Sequence, residues 1–238
     1  MSWELTSRPE KIKDMALYPT LRKWLEMYEG TGEFNHLLFH GDTGTGKTTA
    51  AYILARVVCD DFNIHKHVID CSSKPNITQF REIAQRVSIS QGGLTKFFSQ
   101  PTKEVFIFDE FHKLPKDTQT VLNRILENDA VETPCIFCVN DLDSVEKPIR
   151  SRTKRLPFNV AVVNEKKELK FFDYVDYSKD EWIEELRRVG REVCKSNDVE
   201  PLEEVEDTVF ANDLYLTDVR TFIRALEDEY RIKDYYKK

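Results

Sequence analysis

Long apolar runs are missing from this chain of 238 residues: no stretch approaches the ~20 consecutive apolar residues that a membrane-spanning helix needs. Glycine and proline are also sparse, at 8 and 9 residues, far below the share that marks collagen-like or low-complexity chains. Cysteine is thin and odd in number: Cys59, Cys71, Cys135, Cys138 and Cys194. That pattern argues for free thiols in a reducing compartment rather than a disulfide framework. Cys135-x-x-Cys138 lies inside the apolar run Cys135-Ile136-Phe137-Cys138-Val139, and no second pair follows at zinc-site spacing. The five histidines make no ligand spacing either. The opening Met1-Ser2-Trp3-Glu4-Leu5 is not a basic-then-apolar leader, so secretion is not expected and a cytoplasmic location is.

An excess of positive charge is absent as well. The formal net charge is −7, and it is unevenly placed. Through Pro157 there are 21 Lys and Arg against 21 Asp and Glu; from Phe158 onward there are 14 against 21. A protein that binds nucleic acid over its whole surface is excluded by that balance. The balance leaves room for a binder that concentrates its basic residues on a single face. What the chain does have is 40% hydrophobic and 32% charged residues, the mixture of an ordinary globular protein. Its length fits one large domain or two modest ones, and no internal repeat is present.

Up to Pro157 strand-like and helix-like patterns alternate. Leu37 to His40 is a short apolar run ending at a glycine-rich turn. Ala50, Ile53/Leu54 and Val57/Val58 then repeat at helical spacing, ending at Cys59-Asp60. His67 to Asp70 reads as a second strand, Ile77 to about Val87 as a helix, and Val105 to Phe108 as a third strand, apolar on both faces. A helix from Pro115 to Glu127, a fourth strand from Cys135 to Val139 and a fifth, at an edge, over Arg155 to Phe158 complete the series. This rhythm predicts an α/β fold with a parallel sheet flanked by helices. Beyond Pro157, Val160 to Tyr177 is strand-rich and aromatic, with a hairpin expected around Asn164 to Lys167. Trp182, Leu186, Val189 and Val193 mark one helix, Leu202 to Asn212 a weaker one, and Val219, Phe222/Ile223, Leu226 and Tyr230 a last one. The expected organisation is a base domain over 1–158, an insert over 159–177 and a small three-helix lid over 178–238.

The segment Gly41-Asp42-Thr43-Gly44-Thr45-Gly46-Lys47-Thr48 fits the phosphate-loop pattern G-x-x-x-x-G-K-[ST]. Glycines let successive backbone N–H groups point at phosphate oxygens, and the following helix adds the positive end of its dipole. Lys47 would reach the β- and γ-phosphates, and the Thr48 hydroxyl would ligate magnesium. The second half of such a site is expected at the tip of a neighbouring strand. There Asp109 would hold hydrated magnesium and Glu110 would polarise an attacking water, which favours ATP hydrolysis over a kinase reaction. Asn140 ends the next strand and would sit beside Asp109, where its amide suits the γ-phosphate or the lytic water; an ordinary turn is the competing reading. Arg150 to Arg155 is a compact basic cluster, either a solvated patch or the source of an arginine for a neighbour's ATP. Arg220, beside Val219, either reaches nucleotide from the lid or is salt-bridged surface.

Together these motifs resemble an AAA+ ATPase. Within that class they are similar to the ATPase subunits of sliding-clamp loaders, of the tailed-phage and replication factor C small-subunit type. The resemblance covers about residues 5–158 and 177–232. Ser7-Arg8-Pro9 is similar to the N-terminal Arg-Pro element near the adenine. Gly41 to Thr48, with Thr49 beside it, is the phosphate loop, and Asp109-Glu110-Phe111-His112 stands at the Asp-Glu box. Gln119 to Glu127 resembles the central helix, and Asn140 with Pro148 to Arg152 resembles sensor 1 and the Ser-Arg-Cys element. Thr217-Asp218-Val219-Arg220, continuing to Leu226, resembles sensor 2.

The resemblance implies that Arg152 is a finger acting in trans, that Arg220 is a sensor acting in cis, and that Arg124 relays DNA contact to Glu110. It also implies ATP and Mg²⁺ as cofactors, and other AAA+ subunits, a sliding clamp and primer–template DNA as partners. The chain departs from the pattern at Thr153, which replaces a cysteine, and in the insert over Val160 to Tyr177. It also reaches Lys238 without the third, collar-forming domain usual in the family. The expected function is therefore that of a clamp-loader ATPase. The alternative is a helicase loader or other adaptor ATPase whose nucleotide state controls a protein partner. Glu110, Asn140 and the lid arginine disfavour a metabolic P-loop kinase, and the intact catalytic set disfavours a scaffold without turnover.

Overall fold

The computed structural model describes residues 2–59, 62–73, 77–78, 80–82, 85, 104–126, 133–165 and 168–236. In chain order, helices α1 (Trp3–Thr6) and α2 (Pro19–Thr31) precede strand β1 (Leu37–His40), which the glycine-rich turn joins to α3 (Lys47–Val58). Then come α4 (Ile64–His67), β2 (Val68–Asp70), β3 (Phe106–Asp109), α5 (Lys116–Leu126), β4 (Cys135–Val139), α6 (Lys147–Arg152) and β5 (Lys154–Pro157). A hairpin of β6 (Ala161–Val163) and β7 (Leu169–Phe171) leads into α7 (Lys179–Ser196), α8 (Glu203–Phe210) and α9 (Val219–Tyr236). Of the helix expected from Ile77 to Val87, residues 79, 83, 84, 86 and 87 lie outside the described residues, as does Glu127. The chain divides into two compact units: Met1–Glu26, Asp42–Thr49 and Phe158–Lys238 form a mainly helical unit, and Met27–Gly41 with Ala50–Pro157 form a sheet unit.

In the sheet unit five strands run in the order β2-β3-β4-β1-β5, every pairing parallel. The apolar runs of β1, β3 and β4 fit their central places, because helices cover both faces of a parallel sheet and leave no polar side to alternate. All five residues of β4 are buried. Side chains alternate across a strand, so Phe106 and Phe108 share one face with Leu38, Cys135, Phe137 and Val139. There Phe108 stacks on Phe137 at 5.1 Å, and Phe111 meets Phe137 edge-on at 4.9 Å. Ile107 and Asp109 take the opposite face. The same alternation puts Cys135 and Cys138 on opposite faces of β4, and all five cysteines are buried free thiols.

Two expectations need correction. β3 is not next to β1, because β4 lies between them. The second strand begins at Val68 rather than His67, which closes α4 with its N–H donating to the Asn63 carbonyl. The fifth strand is an edge strand as expected, beginning one residue earlier at Lys154.

His36 fastens the entry of the sheet. The Cys135 N–H donates to its Nδ1 at 3.1 Å, and the Lys154 N–H donates to its carbonyl at 2.9 Å. Burial pushes the imidazole down to about 4, so the unfolded chain binds a proton that the folded one refuses between that value and the ordinary 6.5. Stability is therefore expected to fall as the pH drops through that window, by about 2 kcal/mol at pH ~5. His36→Gln should flatten this part of the profile in thermal melts at pH ~7 and ~5; an unchanged slope would assign it to other groups.

In the helical unit, a capping box starts α7. The Ser178 side chain accepts the Glu181 N–H, and the Glu181 carboxylate accepts the Ser178 N–H at 2.8 Å. Trp182, Leu186, Val189 and Val193 are buried along this helix, and Phe222, Leu226 and Tyr230 along α9. The Trp182 indole donates to the Leu216 carbonyl at 2.8 Å. Gly190 brings the two helices close: a Cβ there would lie 3.1 Å from the Phe222 ring. The buried Glu206 carboxylate is held by Arg187 at 2.6 Å and Arg191 at 3.3 Å, the pairing that a buried charge requires.

Candidate nucleotide-binding and catalytic residues

The glycine-rich loop from Gly41 to Thr48, the candidate phosphate loop, is built around Asp42. Its carbonyl accepts the Lys47 Nζ at 2.7 Å and the Thr45 hydroxyl at 2.8 Å. Its N–H donates to Asn159 Oδ1 at 2.6 Å, and Asn159 Nδ2 donates back to Asp42 Oδ2 at 3.1 Å. Gly44 and Gly46 take φ values of 89° and 97°, a left-handed region that only glycine enters cheaply. At Gly44 there is also no room for a side chain, since a Cβ would lie 2.1 Å from Asp218 Oδ1. Asp218 is itself fixed at the start of α9, accepting the Arg220 N–H at 2.7 Å and the Thr221 hydroxyl at 3.0 Å. Gly44→Ala is therefore expected to cost about 1–3 kcal/mol in strain, seen as about 5- to 150-fold weaker nucleotide binding in a fluorescent-ATP titration.

The other expected residues of this unit lie along its N-terminal segment and α9. Arg8 Nε donates to the Thr49 hydroxyl at 3.2 Å, with Pro9 following it. Arg220 pairs with Glu4 at 2.8 Å, and Arg224 binds the other oxygen of the same carboxylate. Thr43 and Thr48 are part of the loop's surface and half-buried wall respectively. In the aromatic segment after the hairpin, Phe172 and Tyr174 stack at 5.3 Å. Burial, then the Asp42 carboxylate, push the Tyr174 phenol up to about 12.

In the sheet unit, the strand registers bring three carboxyl ends to one edge: His40 opposite Val139 and Phe108 opposite Phe137. The Gly41 N–H continues the β1–β4 ladder to the Val139 carbonyl at 3.2 Å. Asp109 and Glu110 close β3 at this edge, and Asn140 follows the adjoining strand β4, while β1 is one strand further from β3 than expected. Ligands of open α/β sheets bind outside this carboxyl edge. Glu110 stands in the left-handed region, φ 55°, with its carboxylate 2.7 Å from Lys113 and 3.6 Å from His112 Nε2. Hydrogen bonding to Glu110 holds the Lys113 ammonium above its usual range. The Asn140 N–H donates to His112 Nδ1 at 3.2 Å, which leaves the imidazole proton on Nε2, facing Glu110.

Arg150 pairs with Asp143 at 2.9 Å, while the Arg152 guanidinium donates to the Pro148 carbonyl at 3.1 Å from an exposed position at the end of α6. The Arg124 side chain lies outside the described part of the structure.

Several residues were given no role of their own in the sequence reading: Asn159 fell in the insert, Asp218 stood inside the sensor-2 stretch, His112 closed the Asp-Glu box, and Lys113 was not singled out. Asp70 had a visible signal. It ends β2 as Asp109 ends β3, directly opposite it in the register, and its carboxylate is held below the usual range by hydrogen bonds from Ser72.

Residues 36–135 match the model of the AAA domain (dynein-related subfamily). Replication factor C small subunit 2 of Pyrobaculum islandicum is 28% identical over 158 residues, covering 66% of this chain and 48% of that protein. Replication factor C subunit 4 of Arabidopsis thaliana is 26% identical over 165 residues, with the same coverage of 66% and 48%. The chain thus spans about half the length of these relatives. Among solved structures, the RuvB Holliday junction branch migration motor of Thermotoga maritima shares the fold, with a TM-score of 0.60 at 19% identity over 96% of this chain and 66% of that one. The glycine-rich loop, strand-end acids and parallel sheet agree with these likenesses: the chain is similar to AAA+ ATPases of the clamp-loader type.

Proposed function

We propose that the chain is an ATP-hydrolysing subunit of a DNA-replication clamp loader, with residues 1–158 as its base, 159–177 as an insert and 178–238 as its lid. The observation that carries this reading is the convergence of the β1, β3 and β4 ends at one sheet edge, where the phosphate loop leaves and where Asp109, Glu110 and Asn140 stand. The likeness to replication factor C subunits supports the clamp-loader assignment.

On ATP binding, Lys47 exchanges the Asp42 carbonyl for β- and γ-phosphate oxygens, while the loop N–H groups, Arg8, Pro9 and Thr49 hold the nucleotide. Asp109 and the Thr48 hydroxyl are hard oxygen donors that would hold magnesium, and the ion would supply neutralising charge to the phosphates. Glu110 draws the proton from the attacking water and Asn140 orients it. Arg152 of a neighbouring subunit meets the developing negative charge, and Arg220 does so from the same chain after leaving Glu4. Nucleotide-bound subunits would grip primer–template DNA and a sliding clamp in the cytoplasm, and hydrolysis would release them. Among the described residues no helix is long and apolar enough to cross a membrane.

The test is steady-state ATPase with all partner subunits present, with and without primer–template DNA and the cognate clamp. Stimulation by both supports the proposal, and indifference to both overturns it. Capture of a replicative helicase in place of a clamp would select the helicase-loader alternative.

A further inference from the structure

We infer that Asn159 is a positioning residue of the phosphate loop, tying the exit of the edge strand to the residue on which Lys47 rests. The inference rests on the nucleotide reading proposed above but concerns a residue outside the loop motif. β1 and β5 pair in parallel with a constant offset, Leu37 with Lys154 and His40 with Pro157. Continued two residues, that offset sets Asp42 against Asn159. The strand ladder has stopped there, and the Asn159 amide replaces it, accepting the Asp42 N–H at 2.6 Å and donating to the Asp42 carboxylate at 3.1 Å. A carboxamide can give and take in this way, because it carries both an acceptor and donors on one planar group.

The consequence lies one peptide further on. The Asp42 carbonyl is the shared acceptor of Lys47 Nζ and the Thr45 hydroxyl. Asn159 holds the N–H and side chain of that same residue and so fixes the carbonyl's place. A loop held ready in this way binds phosphate without an ordering cost. Asn159 also opens the segment that leads to the hairpin and α7, so a pull on that segment acts on the loop's second residue before any other.

Three variants test this. Asn159→Leu removes both hydrogen bonds at similar size and is expected to weaken ATP binding about tenfold while leaving kcat at saturating ATP nearly unchanged. Asn159→Asp sets two carboxylates against each other and should also weaken binding. Adding Asp42→Asn to it restores an amide–carboxylate pair with the roles exchanged, and is expected to bring affinity back to within about threefold of the parent. Amide hydrogen exchange over 41–48, measured without nucleotide, should rise in Asn159→Leu and return to the parent rate in the exchanged pair. Equal affinity in Asn159→Leu, or no recovery in the exchanged pair, overturns the inference. Should the parent protein bind no ATP, the proposed function fails, while the exchange rates still decide whether Asn159 holds the loop.

Discussion

Glu110→Gln is expected to bind ATP within about threefold of the parent while its turnover falls by about 10²–10⁴, the share of a rate that a positioned general base supplies. The substitution keeps size and shape, so the left-handed backbone at φ 55° faces no new steric demand, and nucleotide contacts made by the loop are untouched. What goes is the charge that draws a proton from water. The 2.7 Å pairing with Lys113 goes with it, a half-exposed ion pair of small worth to stability. Phosphate-release kinetics and a binding titration on the same sample separate the two effects. Normal turnover would remove Glu110 from its proposed role.

Arg152→Ala should have the larger effect: a loss of about 10³–10⁵ in turnover, the range known for arginines that meet transition-state charge, with binding and folding preserved. Its guanidinium donates to the Pro148 carbonyl of its own helix at 3.1 Å from an exposed position, so truncation should cost little stability. The trans assignment has its own readout. Mixing inactive Arg152→Ala with inactive Glu110→Gln should recover part of the activity, because some junctions then combine an intact Glu110 with an intact Arg152. If the arginine acted within its own chain, every mixed site would stay defective.

The elements that were legible in the sequence share a cause. β1, β3 and β4 announce themselves because strands buried on both faces must be apolar throughout, and each ends where its polar functional residue begins. The hairpin and α7 and α9 are legible because aromatic and apolar residues recur at the period of the element that buries them. What stayed hidden depends on partners distant along the chain. That β4 separates β1 from β3 is a fact of topology, and no local pattern encodes it. The clasp between Asp42 and Asn159 spans 117 positions, and the Gly44–Asp218 approach is longer still; each residue looks like ordinary turn material on its own. Arg220 illustrates the converse. Both readings of it were open in the sequence, and its contact with Glu4 depends on where the first helical turn comes to rest.

The terminal strand of the sheet gives the basic run Arg150 to Arg155 a second meaning. Lys154 and Arg155 lie in β5, both exposed, on the strand that among the described residues pairs with β1 along one side only. A bare strand edge invites another chain to add to it, and charged side chains, lysine above all, are a common deterrent. Subunits of an assembly crowd together at high local concentration, where an unguarded edge would fuse sheets instead of letting interfaces open and close. On this view part of the cluster protects reversibility: neutralising Lys154 and Arg155 would endanger solubility before it touched catalysis.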